Sequence, residues 1–347
     1  MHVLVATDAW HPQINGVVRT LSELARAAPR LGASIAFLTP EGLPSLPLPT
    51  YRDIRLAIAR PRTIARRIAE LRPAAIHIAT EGPIGLSVRQ YCRANGLAFT
   101  TSFHTRFPDY VTARTPIPES WTWAALRWFH GAGSGVMAAT PALEAELVDR
   151  GFPNVMAWPR GVDAALFRPR PGADLGLPRP VFLTVGRLAV EKNIEAFLAL
   201  DLPGSKVVVG DGPARAQLTR RFPEAVFLGA RGGEDLARAY AAADVFVFPS
   251  RTDTYGLVLL EALASGVPVA AFPVCGPRDI VEGAPVAALD HDLRAACLKA
   301  LTLSRDECRM FARGKTWAAS ARMFLANVRR VALAAAPATG ETSEAIA

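Results

Sequence analysis

The chain has 347 residues, half of them hydrophobic and a fifth charged, which predicts about two domains with sizeable cores and excludes a disordered chain. Its longest stretches without a formal charge, residues 128–143 and 262–277, contain 16 residues each and fall short of the roughly 18–20 apolar residues that span a bilayer, so no transmembrane helix is expected. Of the net charge of +8, residues 1–170 carry +7 and residues 171–347 carry +1. A one-sided field of this kind predicts an anionic partner for the first half: phosphate, nucleic acid or a lipid surface. An arginine-rich composition is the other source of such a charge. The opening stretch MHVLVATDAW has no charged segment ahead of its apolar run, so no secretory signal is expected. Cys92, Cys275, Cys297 and Cys308 show no CxxC spacing and read as reduced thiols, neither a disulfide framework nor a zinc site.

In chain order, residues 2–7 (HVLVAT) read as a buried strand. A glycine-containing loop and a helical pattern over 17–31 follow. Residues 34–39, 75–79, 98–102, 135–139 and 155–158 are further short apolar strands. Continuous apolar runs separated by helices predict a parallel sheet covered on both faces. At 168–180 (RPRPGADLGLPRP) proline and glycine cluster and the periodicity stops, as in a linker or hinge. Alternation then restarts, with strands over 181–185, 206–209, 225–228, 245–248 and 267–271 and helical stretches over 193–200 and 214–221. The expected fold class is α/β: two Rossmann-like doubly wound domains, 1–170 and 171–315, facing across a cleft. Residues 334–347 are rich in Ala, Thr and Glu and read as a frayed tail.

Four segments carry candidate chemistry. Residues 8–16 (DAWHPQING) join a strand to a helix, and Asn15-Gly16 lets backbone N–H groups approach a polar or anionic ligand. An ordinary strand–helix turn is the other reading, and the absence of GxGxxG disfavours a plain NAD enzyme. In 184–193 (TVGRLAVEKN) a strand ends at Gly186 and is followed by Arg187 and Lys192, a pair able to clamp a diphosphate. In 248–269 (FPSRTDTYGLVLLEALASGVPV) a loop with Asp253 and Gly256 leads into a helix from about Leu257, and Glu261 lies eight residues beyond Asp253. The helix N-terminus can receive phosphate, and carboxylates pair well with sugar diols. The strand-end loops 80–85 (TEGPIG) and 101–106 (TSFHTR) bring Glu81, His104 and Arg106 towards the same cleft. Asp290-His291-Asp292 has a DxD spacing but precedes a helical pattern, so helix capping is the better reading.

Segment 248–269 resembles the E-x7-E signature of the family 4 retaining glycosyltransferases, which have the GT-B fold. The resemblance covers nearly the whole chain. VGRLAVEKN is similar to their diphosphate-binding loop, and GDGP (210–213) and GVDxxxF (161–167) are typical of them. The first acidic position holds Asp253 in place of Glu, one methylene shorter, which bears on the donor-sugar contacts. The TDTYG variant resembles a bacterial subgroup that includes sulfoquinovosyl and glucuronosyl or glucosyl diacylglycerol synthases, and mannosyltransferases.

This resemblance implies transfer of a hexose from a nucleotide diphospho-sugar with retention of configuration. Arg187, Lys192 and the helix start would neutralise the leaving diphosphate, Asp253 would position the sugar and Glu261 would hold the ribose. Gly16, Gly186, Gly212, Tyr255, Gly256, Leu257 and Val258 complete the implied donor site, and His104 stands beside the reacting sugar. The leaving phosphate takes the acceptor's proton, so neither a separate base nor a metal cofactor is expected. Glu81 and Arg106 are weaker candidates for acceptor or loop contacts. The family places the acceptor on the first domain and crosses a C-terminal helix, 316–333, back to it.

Two stretches of that domain suggest what the acceptor is. Residues 54–71 carry Arg55, Arg60, Arg62, Arg66 and Arg67 with Ile64, Ile68 and Leu71 on one helical face, and 117–129 hold Trp121, Trp123 and Trp128. Such patterns suit an anionic membrane surface, although a solvated face or a core gives the same patterns. The expectation is a cytoplasmic enzyme at the inner face of the membrane that moves a glucose- or glucuronate-type hexose from a UDP-sugar to a lipid such as diacylglycerol. GDP-mannose-dependent transfer is the alternative, and a sugar-nucleotide epimerase of the same fold is the rival of another class. With four lysines and no interleaved Lys/aromatic patches, a nucleic-acid-binding module is disfavoured.

Overall fold

In the computed structural model, which describes residues 1–13, 15–48, 51–112, 115–251, 255–281 and 283–335, the short apolar runs form two six-stranded parallel sheets. The first comprises β1 (His2–Ala6), β2 (Ser34–Leu38), β5 (Ala75–Ile78), β6 (Phe99–Ser102), β7 (Gly135–Ala138) and β8 (Val155–Ala157). Between β2 and β5 the chain makes an antiparallel hairpin, β3 (Ser45–Leu48) and β4 (Tyr51–Ala57). The second sheet comprises β9 (Val181–Val185), β10 (Ser205–Val209), β11 (Val226–Gly229), β12 (Val245–Phe248), β13 (Val269–Ala271) and β14 (Ala287–Leu289). Strand order is β2-β1-β5-β6-β7-β8 in one and β11-β10-β9-β12-β13-β14 in the other. Strands buried on both faces have no polar side to alternate with, which is why central strands such as β1, β9 and β12 read as mainly apolar runs.

These orders fix where a ligand can bind. The chain winds one way from β1 to β2, and the other way from β5 onwards; in the second sheet the reversal falls between β9 and β12. A doubly wound sheet opens a crevice beyond the carboxyl ends of the two strands flanking such a reversal. The loops after β1, β5, β9 and β12 are segments 8–16, 80–85, 186–193 and 249–256, so each of the four switch-point loops carries one of the sequence motifs, while the His104 segment follows β6.

The last helix, Trp317–Ala335, packs on the first domain, where Ala321, Phe324, Leu325, Val328 and Val331 join Val3, Val5, Leu21 and Leu24 in one core. Among the described residues no helix is long and apolar enough to cross a membrane. Residues 54–71 are not one amphipathic unit. They divide into the end of β4 and a helix, Pro61–Leu71, because Pro61 lacks the N–H a strand needs and is preorganised for a first helical turn. Ile64 and Ile68 of that helix are 0% and 4% exposed and face the core, which corrects their assignment to a membrane-facing side.

Candidate active site

Each switch-point loop is held by identifiable bonds. Asp8 reaches from the end of β1 to the loop after β5. It accepts hydrogen bonds from Ile84 N at 2.9 Å, Gly85 N at 3.3 Å and the Thr80 hydroxyl at 3.0 Å. It therefore caps the helix Pro83–Ala94, and a side chain at Gly82 would lie 2.4 Å from its carboxyl carbon. Burial raises the Asp8 pKa in spite of these bonds. Glu81 in the same loop is held at 3.1 Å by His130 Nε2, whose Nδ1 is 2.8 Å from the Thr101 hydroxyl. Asn15 caps the helix Gly16–Ala27, its side-chain oxygen accepting from Val17 N and Val18 N at 3.0 Å. Those two N–H groups, which the sequence offered to a ligand, are thus satisfied from within the chain.

On the facing domain, the loop after β9 carries Gly186, Arg187 and the short 3-10 turn Val190–Lys192. Arg187 Nη2 is 2.6 Å from Glu191 Oε1 and its side chain is 41% exposed. Asn193 Nδ2 donates to Pro249 O at 3.0 Å and Ser250 Oγ to Glu191 O at 3.3 Å, which stitches this loop to the one after β12. Gly186 opens onto free space, whereas a side chain at Gly212 would lie 2.5 Å from Leu188 O. Gly212 therefore supports the cationic loop from behind and does not line open space. Gly256, at φ +79, is the N-cap of the helix Leu257–Ala264 and has no side chain of its own with which to cap it. The left-handed backbone there is one that side-chain-bearing residues rarely adopt. Asp253 lies outside the described residues.

The two halves meet at this edge. A side chain at Gly16 would stand 3.8 Å from Leu257 Cδ1, so the helix starts of the two domains oppose each other. Glu261, 3% exposed, is bound by Arg19 of the first domain and accepts from the Tyr240 hydroxyl at 3.0 Å. Burial raises the Glu261 pKa, while Arg19 and Tyr240 favour the charged form. Thr140 Oγ1 donates to Asp279 Oδ2 at 2.7 Å, a second tie between the domains. Arg106 is committed elsewhere in the first domain: its guanidinium forks onto Glu146, and although burial alone would raise that carboxyl, Arg106 and Arg150 hold it below its ordinary range. Asp292 accepts from Arg294 N and Ala295 N as a helix cap, so the DxD spacing has a structural use.

A residue that the sequence did not single out links the halves. Arg160, which precedes the GVD motif, is 5% exposed; its Nη2 lies 3.1 Å from His104 Nδ1 and its backbone oxygen accepts from the Tyr255 hydroxyl at 3.4 Å. Burial pushes the Tyr255 hydroxyl up to about 12. Arg19, in the helix after the Asn15 cap, was likewise missed. Its signal, a cation one turn into a helix that begins at a switch point, becomes readable only once the facing carboxylate is known.

Two domains with opposed switch-point loops define the GT-B class. Sucrose-phosphate synthase from Thermosynechococcus elongatus has the same fold, with a TM-score of 0.78 over 96% of this chain and 100% of that one at 22% identity. Residues 14–166 match the model described as Glycosyltransferase Family 4, and residues 179–303 match Glycosyl transferases group 1. A GDP-mannose-dependent alpha-mannosyltransferase of Mycobacterium tuberculosis is 31% identical over 308 residues, covering 81% of each chain. An alpha-monoglucosyldiacylglycerol synthase of Streptococcus pneumoniae is 27% identical over 352 residues, covering 88% of this chain and 79% of that one. The chain belongs to glycosyltransferase family 4 and is a glycosyltransferase.

Proposed function

We propose that this enzyme transfers a glucose- or glucuronate-type hexose from a UDP-sugar to a membrane lipid such as diacylglycerol, with retention of configuration and without a metal cofactor. The observation that carries the reading is that the loop of Arg187 and Lys192 is stitched to the loop leading into the helix start at Gly256–Leu257, next to Tyr255, whose hydroxyl reaches Arg160, the partner of His104. Two cations and a helix N-terminus suit a leaving diphosphate. Asp253 and Glu261 are assigned to the sugar and the ribose. In this reading Glu261 shares its carboxylate between Arg19 and the ribose hydroxyls. The departing phosphate oxygen takes the acceptor's proton.

The lipid acceptor rests on the first domain. Trp121 and Trp128 are 70% and 58% exposed at two-turn spacing on the helix Glu119–His130, beside Ile117 at 43%. Amphipathic aromatic rings on a net +7 domain suit an anionic bilayer surface. Trp123 contributes to the core, stacked on Phe103, and Arg62 and Arg66 stand exposed on the helix Pro61–Leu71. The activity named for the Streptococcus relative agrees with a diacylglycerol acceptor, and that named for the Mycobacterium relative favours a second reading, transfer from GDP-mannose.

The test is a product assay with EDTA present, offering diacylglycerol liposomes and labelled UDP-glucose, UDP-glucuronate or GDP-mannose in turn. Chloroform-soluble label from a UDP-sugar is expected. Label from GDP-mannose alone would move the enzyme to the second reading, and no lipid label from any donor would remove diacylglycerol as acceptor.

A further inference from the structure

The His104–Arg160 contact carries an inference about how the site works. A buried guanidinium is costly to leave without an opposite charge, yet among the described residues no carboxylate pairs with Arg160. Nη1 donates to Trp158 O, the guanidinium carbon stacks 4.3 Å from the Trp158 ring centre, and Nη2 lies 3.1 Å from His104 Nδ1. Guanidinium nitrogens only donate, so at this distance His104 Nδ1 must be the acceptor. A neutral imidazole that accepts at Nδ1 carries its hydrogen on Nε2.

The remaining surroundings act in the same direction. Among the described residues, the titratable and charged groups that act on His104 are Arg160 from the segment after β8, His77 on β5 and His130 at the end of the helix Glu119–His130. None is an acid, and burial together with these three keeps the imidazole well below its ordinary protonation range. Trp158 stacks under Arg160 and meets the His104 ring edge-on at 5.7 Å, which fixes both groups in place.

We propose that Arg160 is a positioning residue that locks His104 as the neutral Nε2–H tautomer, so that His104 serves the transfer as a hydrogen-bond donor and never as a proton acceptor. Its catalytic consequence rests on the transfer reading above; the tautomer itself does not. A donor of this kind suits a reaction in which the leaving phosphate receives the acceptor's proton, because a basic Nδ1 aimed at the acceptor would compete for it.

The experiment is 15N NMR of histidine-labelled full-length protein, with the His104 signals assigned by their loss in His104→Asn. The wild-type spectrum is expected to show a pyrrole-type Nε2 and a pyridine-type Nδ1, unchanged between about pH 8 and 5.5. In Arg160→Met the imidazole should populate both tautomers and take up a proton within that range, and Arg160→Lys should restore the wild-type pattern. In kinetics, Arg160→Met is expected to lower kcat by about tenfold to a hundredfold with donor KM within about twofold, and to add an acid limb that follows the new His104 titration. An Nδ1–H tautomer or a titrating His104 in the wild type overturns the proposal, as does Arg160→Met with an unchanged His104 spectrum and pH profile. If Arg160→Met fails to fold, the wild-type and Arg160→Lys spectra still decide. Absence of transfer from any donor would sink the transfer reading and leave the tautomer result standing.

Discussion

Arg187 and Lys192 act through charge on a short loop, and what fixes them is local: the strand end at Gly186, the 3-10 turn and the Asn193 bond to Pro249. In the proposed mechanism, removing one cation takes away an interaction that grows as the diphosphate departs. Lys192→Ala should therefore lower kcat by about a hundredfold or more, with a small change in thermal stability, as steady-state kinetics and a melting curve would show. His77 makes a different prediction. Burial, with Arg160 and His130 nearby, lowers it from 6.5 to about 3. The unfolded chain takes up a proton below pH 6.5 that the folded chain refuses. This contribution to stability is whole above that pH and is lost as pH falls towards about 3, by at most ~1.4 kcal/mol per unit for the one side chain. Urea midpoints at about pH 7.5 and 5.5 should fall for the wild type and fall less for His77→Gln. His104, Arg187 and Lys192 were readable because strand-end position and short spacing mark them. Arg160 and Arg19 were not, since a lone arginine gains meaning only from partners far along the chain, here His104 and Glu261.

Among the elements, the buried strands were the most readable, since a parallel strand with both faces covered has no polar register to obscure it. For the helix Pro61–Leu71 the sequence shows an apolar face and leaves membrane, solvent and core open as its neighbour, and Ile64 and Ile68 lie in the core. Periodicity shows that a helix has an apolar face and not whether core or membrane covers it. The tryptophans of Glu119–His130 divide in the same way: Trp123 is 2% exposed and Trp121 70%. The three-residue strand β14 is too short to carry a period. The long C-terminal helix buries Phe324 completely, its ring 4.8 Å from Trp158 and 4.9 Å from His77. Phe324→Ala should cost about 3–5 kcal/mol by denaturant titration, because the ring fills space between the helix and the sheet that cannot collapse. A cost under about 1 kcal/mol would mean that the helix does not brace the first domain.

At the scale of the whole molecule, the proposed function places the donor in the two-domain cleft and the membrane contact on the net +7 first domain with its exposed Trp121 and Trp128. If Trp121 and Trp128 dock on lipid, their joint replacement by Ala should weaken binding to anionic liposomes by about tenfold or more in a flotation assay, and leave turnover with a soluble acceptor nearly unchanged. Raising the salt concentration should weaken wild-type binding further, because the arginines of the first domain act through screened charge. The cleft itself is closed by the bonds of Arg19 with Glu261 and Thr140 with Asp279, neither readable from sequence, since each joins the two domains. In the proposed mechanism a departing phosphate, flanked by cations and a neutral His104, takes the acceptor's proton on one face of the sugar. The anomeric configuration of the product from an α-linked donor, read by proton NMR, tests it most directly. An α-linked product is expected, and a β-linked product would overturn transfer on one face.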